Sequence, residues 1–294
     1  MNSPAPKWRP HYRSTLKMPQ SEKKGFAGDF TLTSEATFDG FSFIGIEATR
    51  NYLVCFEGYK SEFWILSFEL EKIETFRIEG IIFSSTRIVM KYNEMTDTLL
   101  VFYNGKLFNI DLQSKTIVWS NTIMNQAKYY GCSCVGLTID SRGIIYLCTS
   151  RYPPAMLYVI AHNGEVVGKA GKECSQHRLE MEIVMGMSMD GEENMVITTF
   201  DKNEWAIVKV SRMLKEISRK VIQHHFKGGS IIYDSAKNHF IIPYYNGIAI
   251  HDMKFNQLSQ QMANISQYDL TLSNHGILYL ICGENFYNSI KAYQ

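Results

Sequence analysis

The adjacent histidines His224 and His225, which lead into Phe226-Lys227-Gly228-Gly229, are the most chemically capable pair in this 294-residue chain. Imidazoles titrate near neutral pH and serve as metal ligands or general bases. With His177 and Glu180 they compose the nitrogen-and-carboxylate set that a metal-assisted hydrolase needs. Two facts weigh against that use. Adjacent side chains usually point apart, and no Asp or Glu neighbours the pair. Gly228 and Gly229 precede an apolar run and not a helix, so no phosphate cradle is read there. Cys132 and Cys134 form a C-x-C without a second Cys/His pair at zinc spacing. No serine elbow, zinc-protease motif or kinase set occurs. The expectation is a protein without a catalytic set and without a cofactor. The alternative is a divergent hydrolase of lactonase or esterase type, holding a divalent cation through His177, Glu180, His224 and His225.

A second group is aromatic. Tyr59, Tyr152, Tyr244, Tyr245, Phe286 and Tyr287 all stand beside turn residues such as Gly58, Pro153, Gly247 and Asn288. Tyrosines on rigid turns supply contact area at low entropic cost and are enriched where proteins bind one another. These six residues are the expected binding set.

Something must place such turns together, and the chain contains a suitable repeat. The clearest unit is Cys134-Val-Gly-Leu-Thr-Ile-Asp140, a turn at Ser141-Arg142-Gly143, the run Ile144–Cys148, then Met156–Ile160. The same order of apolar run, polar turn and apolar run returns six times. Its turns are anchored at Glu47, Asn93, Asp140, Asp190, Asp234 and Ser273, at intervals of 46, 47, 50, 44 and 39 residues. Runs of four to seven residues rich in Tyr, Phe, Ile and Val read as strands. A period of roughly 40–50 residues with four strands is a propeller blade. The sixth unit ends at Gln294 one strand short, and Phe30–Ser34 is a spare strand near the start. Pairing the two closes a ring and removes an exposed edge. The predicted fold is therefore all-β: a six-bladed β-propeller over 29–294, closed by its N-terminal strand. A basic arm, 1–28, should precede it. That arm is rich in Pro, and residues 1–30 carry a net +4.

Bulk composition narrows the partners. The net charge of +1 lacks the broad positive field of a nucleic-acid binder, and only Lys60, Arg151, Arg178 and Lys202 offer a basic patch on the aromatic side. No apolar run approaches the ~20 residues of a membrane-spanning helix. No signal-peptide core is read in the first residues. The expectation is a cytoplasmic monomer with reduced cysteines that binds a protein or peptide, not nucleic acid or a membrane.

Two segments resemble known blade types. Gly136-Leu-Thr-Ile-Asp140, Gly143 and Ile145-Tyr-Leu147 match the blade pattern of the NHL and gluconolactonase-like six-bladed superfamily. Leu107–Trp119 is similar to a quinoprotein-type blade. The first resemblance implies the propeller fold and, for its enzyme members, a divalent ion in the central channel. Those members place an Asn before the Gly that opens an innermost strand and an Asp after the next strand. This chain has Val135 and Met185 at the first position, and Thr149 and Thr199 at the second. Val and Met give a hard cation no oxygen.

Overall fold

The computed structural model describes residues 24–28, 30–38, 41–81, 88–124, 134–149, 155–172, 174–223, 225–226, 230–245, 247–262, 267–284 and 287–294. The first strand, β1 (Leu32–Phe38), is set apart from the next four. Blade 1 holds β2 (Phe43–Ala48), β3 (Leu53–Glu57), β4 (Glu62–Leu66) and β5 (Lys72–Phe76). Blade 2 holds β6 (Val89–Asn93), β7 (Thr98–Tyr103), β8 (Lys106–Asp111) and β9 (Thr116–Thr122). Blade 3 holds β10 (Cys134–Ile139), β11 (Ile145–Thr149), β12 (Met156–Ile160) and β13 (Val166–Gly171). Blade 4 holds β14 (Ile183–Met189), β15 (Met195–Asp201), β16 (Glu204–Val210) and β17 (Glu216–Ile222). Blade 5 holds β18 (Ile232–Asp234), β19 (His239–Tyr244), β20 (Gly247–His251) and β21 (Gln257–Met262). Blade 6 holds β22 (Gln267–Leu272), β23 (Leu278–Glu284) and β24 (Tyr287–Tyr293), and β1 pairs antiparallel with β24 as its outer strand.

Every sheet is antiparallel and four-stranded; in blades 1 to 5 the strands run in sequence order from the axis outward, and in blade 6 the order is β22, β23, β24 and then β1. The innermost strands touch in succession, β2 to β6, β10, β14, β18, β22 and back to β2, so the ring is closed. Six buried apolar clusters correspond to the six seams between blades. This explains the sequence pattern. The second strands β3, β7, β11 and β19 are buried on both faces and read as unbroken apolar runs. The outer strands β9 and β17 are largely exposed and carry the polar residues.

Side chains of the first turn in each blade cap their own backbone. Asp140 Oδ1 accepts from Arg142 N and Ile144 N, and Asp190 Oδ1 accepts from Glu192 N and Asn194 N. In blade 1 this role belongs to Thr49, whose Oγ1 accepts from Asn51 N and Tyr52 N. Glu47, expected as the anchor, instead reaches across to blade 2.

The boundary of the N-terminal arm also moves. Phe26 is fully buried in the seam between blades 5 and 6, with Phe30 beside it. Phe26 N donates to Asp234 Oδ2 at 2.6 Å, and Lys24 N donates to Asn274 O at 3.0 Å. Residues 24–28 therefore belong to the ring and not to an arm, because an apolar seam is open where β1 joins blade 6. Residues 1–23 lie outside the described residues. Among the described residues, Cys55, Cys148, Cys174 and Cys282 form no disulfide. Among the described residues no helix is long and apolar enough to cross a membrane.

Candidate functional site

Propeller topology gives the channel two ends. Turns between second and third strands share one end with the connections between blades. Tyr245 N, on the turn after β19, donates to His225 O at 3.1 Å, and His225 lies on the connection from blade 4 to blade 5. Turns between first and second strands surround the other end.

Of the aromatic residues singled out from the sequence, Tyr59 and Tyr245 stand on turns at the first end. Tyr59 is 76% exposed and Tyr245 is 71% exposed. Tyr59 N donates to Glu57 Oε1, which is fixed on β3, so this turn is braced. Tyr244, expected in the binding set, is buried instead. It is the last residue of β19, buried in the seam between blades 4 and 5, and its hydroxyl is bonded to His251 Nε2 at 2.8 Å. Burial pushes its phenol up. Tyr244 is still within β19, whose two faces both pack against neighbouring blades, whereas Tyr245 lies on the turn beyond the strand. Tyr287 opens β24, while Tyr152 and Phe286 lie outside the described residues.

The hydrolase set is not gathered by the described residues. His177 and Glu180 occupy the connection from blade 3 to blade 4, and Glu180 pairs with Arg178 at 2.8 Å. His225 belongs to the next connection, where its ring lies 5.4 Å from Trp205. His224 lies outside the described residues. Among the described residues no three His, Cys, Asp or Glu converge so as to hold a metal ion.

The opposite end has a channel cavity of about 350 Å³, lined by the last residues of the innermost strands and their turns. Its chemistry arises from an exposed backbone edge. An innermost strand has no partner on its channel side, so its N–H groups need acceptors. Neighbouring blades supply them. Asp269 Oδ2 of β22 accepts from Ile46 N at 3.1 Å, and Thr271 Oγ1 accepts from Ala48 N at 3.0 Å. Glu47 Oε1 accepts from Tyr92 N at 3.1 Å and from Lys91 Nζ at 2.7 Å. Burial pulls the Lys91 ammonium down, but the charge and hydrogen bond of Glu47 outweigh it and leave it raised. Ser230 Oγ, on blade 5, donates to Asp269 Oδ1 at 2.8 Å. Asp269 thus ties blades 5, 6 and 1 together across the closure.

The sequence reading missed Asp269, Lys91 and the cross-blade role of Glu47. Aligning units on their turn anchors would have exposed the first. Asp269 stands four residues before Ser273, where Gly136 and Gly186 stand before Asp140 and Asp190.

Burial pushes the Asp269 carboxyl up to about 6. Hydrogen bonds from Ile46 N, Ser230 and Leu270 N oppose the rise, and the nearby Glu47 charge adds to it. The folded state therefore binds this proton more tightly than the unfolded chain, where an Asp titrates near ~3.9. The charge penalty is absent below about pH 4, grows between about 4 and 6, and is complete above that. Relative to Asp269→Asn, the wild type should gain up to about 1.4 kcal/mol per pH unit as pH falls from 6 to 4. Urea unfolding of both proteins from pH 4 to 8 checks this. A pH-independent difference would remove the buried-charge account.

No family model matches the sequence, and no curated protein matches it either. Its structural relatives are propellers. Virginiamycin B lyase from Staphylococcus aureus aligns with TM-score 0.60 at 8% identity, covering 90% of this chain and 100% of the other. The β-propeller domain of Cps50 (Swd1) from Myceliophteria thermophila gives 0.57 at 13%, covering 89% and 99%. A streptogramin B lyase gives 0.56 at 9%, covering 89% and 98%. At such identities the likeness is one of fold, and it agrees with the ring observed here: the chain is a six-bladed β-propeller.

Proposed function

We propose that this propeller is a non-enzymatic scaffold that binds a protein or peptide on the face where second-to-third-strand turns and blade connections meet. The observation that carries this reading is the pair Tyr59 and Tyr245. Both are more than two-thirds exposed, on turns of blades 1 and 5, and both have their backbones tied down. Rigid exposed aromatics cost little entropy to dock and commonly dominate interface energy. A relation of fold to two proteins called lyases and to a propeller domain decides no activity, since one scaffold carries many functions.

Tyr59→Ala with Tyr245→Ala should remove most binding, at about 2 kcal/mol for each anchor. The melting temperature should not move, because exposed substitutions usually stay within about 0.5 kcal/mol. Affinity capture from cell extract with wild type and double variant, followed by titration of the recovered partner, tests this. Equal capture by both proteins would sink the aromatic face. The competing metal-assisted hydrolase is separated by metal analysis of the purified protein. A stoichiometric divalent ion bound through His177, Glu180 or His225 would replace the scaffold reading.

A further inference from the structure

The connection from blade 3 to blade 4 and the outer strands of blade 4 enclose a groove of about 230 Å³. It includes the turn between β15 and β16 and so reaches the face discussed above. Its wall carries four acidic residues, Glu180, Asp201, Glu204 and Glu216, and two basic ones, Lys202 and Arg219. Acidic groups alone make no site, and the informative residue is Asp201. It is only 5% exposed, and its Oδ1 has no hydrogen-bond partner among the described residues. A buried carboxylate oxygen without a donor is destabilising, and folds seldom keep one unless a donor arrives from outside.

The neighbouring cations Lys172 and Arg219 feel the Asp201 charge, but their ion pairs are made with other carboxylates. The Arg219 guanidinium donates to both oxygens of Glu216, at 3.1 and 2.9 Å, and to Glu180 O at 2.7 Å. Lys172 is held by Glu182 at 2.6 Å, and Arg178 by Glu180 at 2.8 Å. Lys202 is exposed on the turn itself. This leaves Asp201 and Glu204 facing the groove without an ion-pair partner among the described residues.

The carboxylates are spread along a groove and do not converge on a point, and no metal-holding group forms among the described residues. A wide cation with several donors fits that spacing better than a bare ion. At ~30 Å³ per water, the groove has room for a guanidinium and the end of its stem. Guanidinium presents five N–H donors in one plane and loses little hydration on burial.

We propose that this groove seats an arginine side chain of a peptide partner, its guanidinium donating to Asp201 Oδ1 and to Glu204. The proposal rests on the reading of this face as a peptide-binding surface and names the side chain that the surface selects.

The probes are N-acetyl-arginine methylamide and its uncharged citrulline counterpart, titrated into the full chain and followed by amide resonances. The arginine probe should shift residues 178–182 and 201–206 saturably. The citrulline probe should bind about ten-fold more weakly, as expected for loss of a charge-assisted hydrogen bond. Asp201→Asn should weaken the arginine probe about ten-fold, and Glu204→Gln about three-fold. Equal binding of the two probes, or no saturable shift with arginine, overturns the proposal. If Asp201→Asn lowers the melting temperature, the exposed Glu204→Gln variant and the citrulline comparison decide alone. Tyr245→Ala should leave arginine binding unchanged. Loss of captured partners in that variant with intact arginine binding supports both readings, whereas intact capture overturns only the aromatic one.

Discussion

A protein lacking residues 1–38 should fail to fold as a monomer, whereas one lacking residues 1–23 should melt like the full chain. The longer deletion removes β1, which pairs with β24 from Leu32↔Tyr293 to Phe38↔Asn288. It leaves the N–H and C=O groups of β24 as an open edge, a template for pairing with another chain. The same deletion removes Phe26 and Phe30 from the seam between blades 5 and 6. Losing one buried phenylalanine alone typically costs about 3–5 kcal/mol, which is close to a domain's whole margin of about 5–15 kcal/mol. The shorter deletion touches none of these contacts. Deleting residues 1–27 separates the two effects, since it keeps β1 but discards Phe26. It should fold with a clearly lowered melting temperature. Sedimentation and thermal melts of the three truncations distinguish the cases. A monomeric 39–294 fragment with the full chain's melting temperature would refute closure by β1.

Gly136→Val should destabilise the ring by about 3 kcal/mol or more, at the upper end for an overpacked core site. Gly136 has no need of a left-handed backbone. Its reason is proximity, since β10 and β14 run against each other at the channel. A Cβ on Gly136 would meet Met187 Cβ and come within 2.9 Å of Met187 N. The neighbour there is backbone of the next innermost strand, so relief requires blades 3 and 4 to part. That also opens their shared cluster around Tyr146, Leu157, Val184 and Ile197. At about 2–4 °C per kcal/mol for chains of 150–250 residues, the melting temperature should fall by roughly 6–12 °C. Gly168→Ala is the control. A Cβ there would meet Val159 Cβ at 3.5 Å, an ordinary contact, and the melt should barely change. A Gly136→Val protein as stable as wild type would show that the two strands do not approach as described.

The amino-acid order by itself determined the six blades, because strand alternation and turn chemistry are local properties. Asp140, Asp190 and Ser273 bond to amides two and four residues ahead, so their spacing records the blade period directly. Closure was legible too, as one strand missing at the end and one spare near the start. Tertiary structure decided what depends on contacts between blades. Whether Tyr244 or Tyr245 faces solvent turns on where β19 leaves the seam between blades 4 and 5, which it does after Tyr244. That Phe26 belongs to the ring depends on an apolar gap beside Ile241 and Leu280. The electrostatic residues were hidden most completely. Asp269 meets Ile46 across 223 positions of sequence, and Asp201 is notable only because no donor reaches it. Burial of a charge is a sum over neighbours, and in a ring those neighbours come from other blades, where no local pattern announces them.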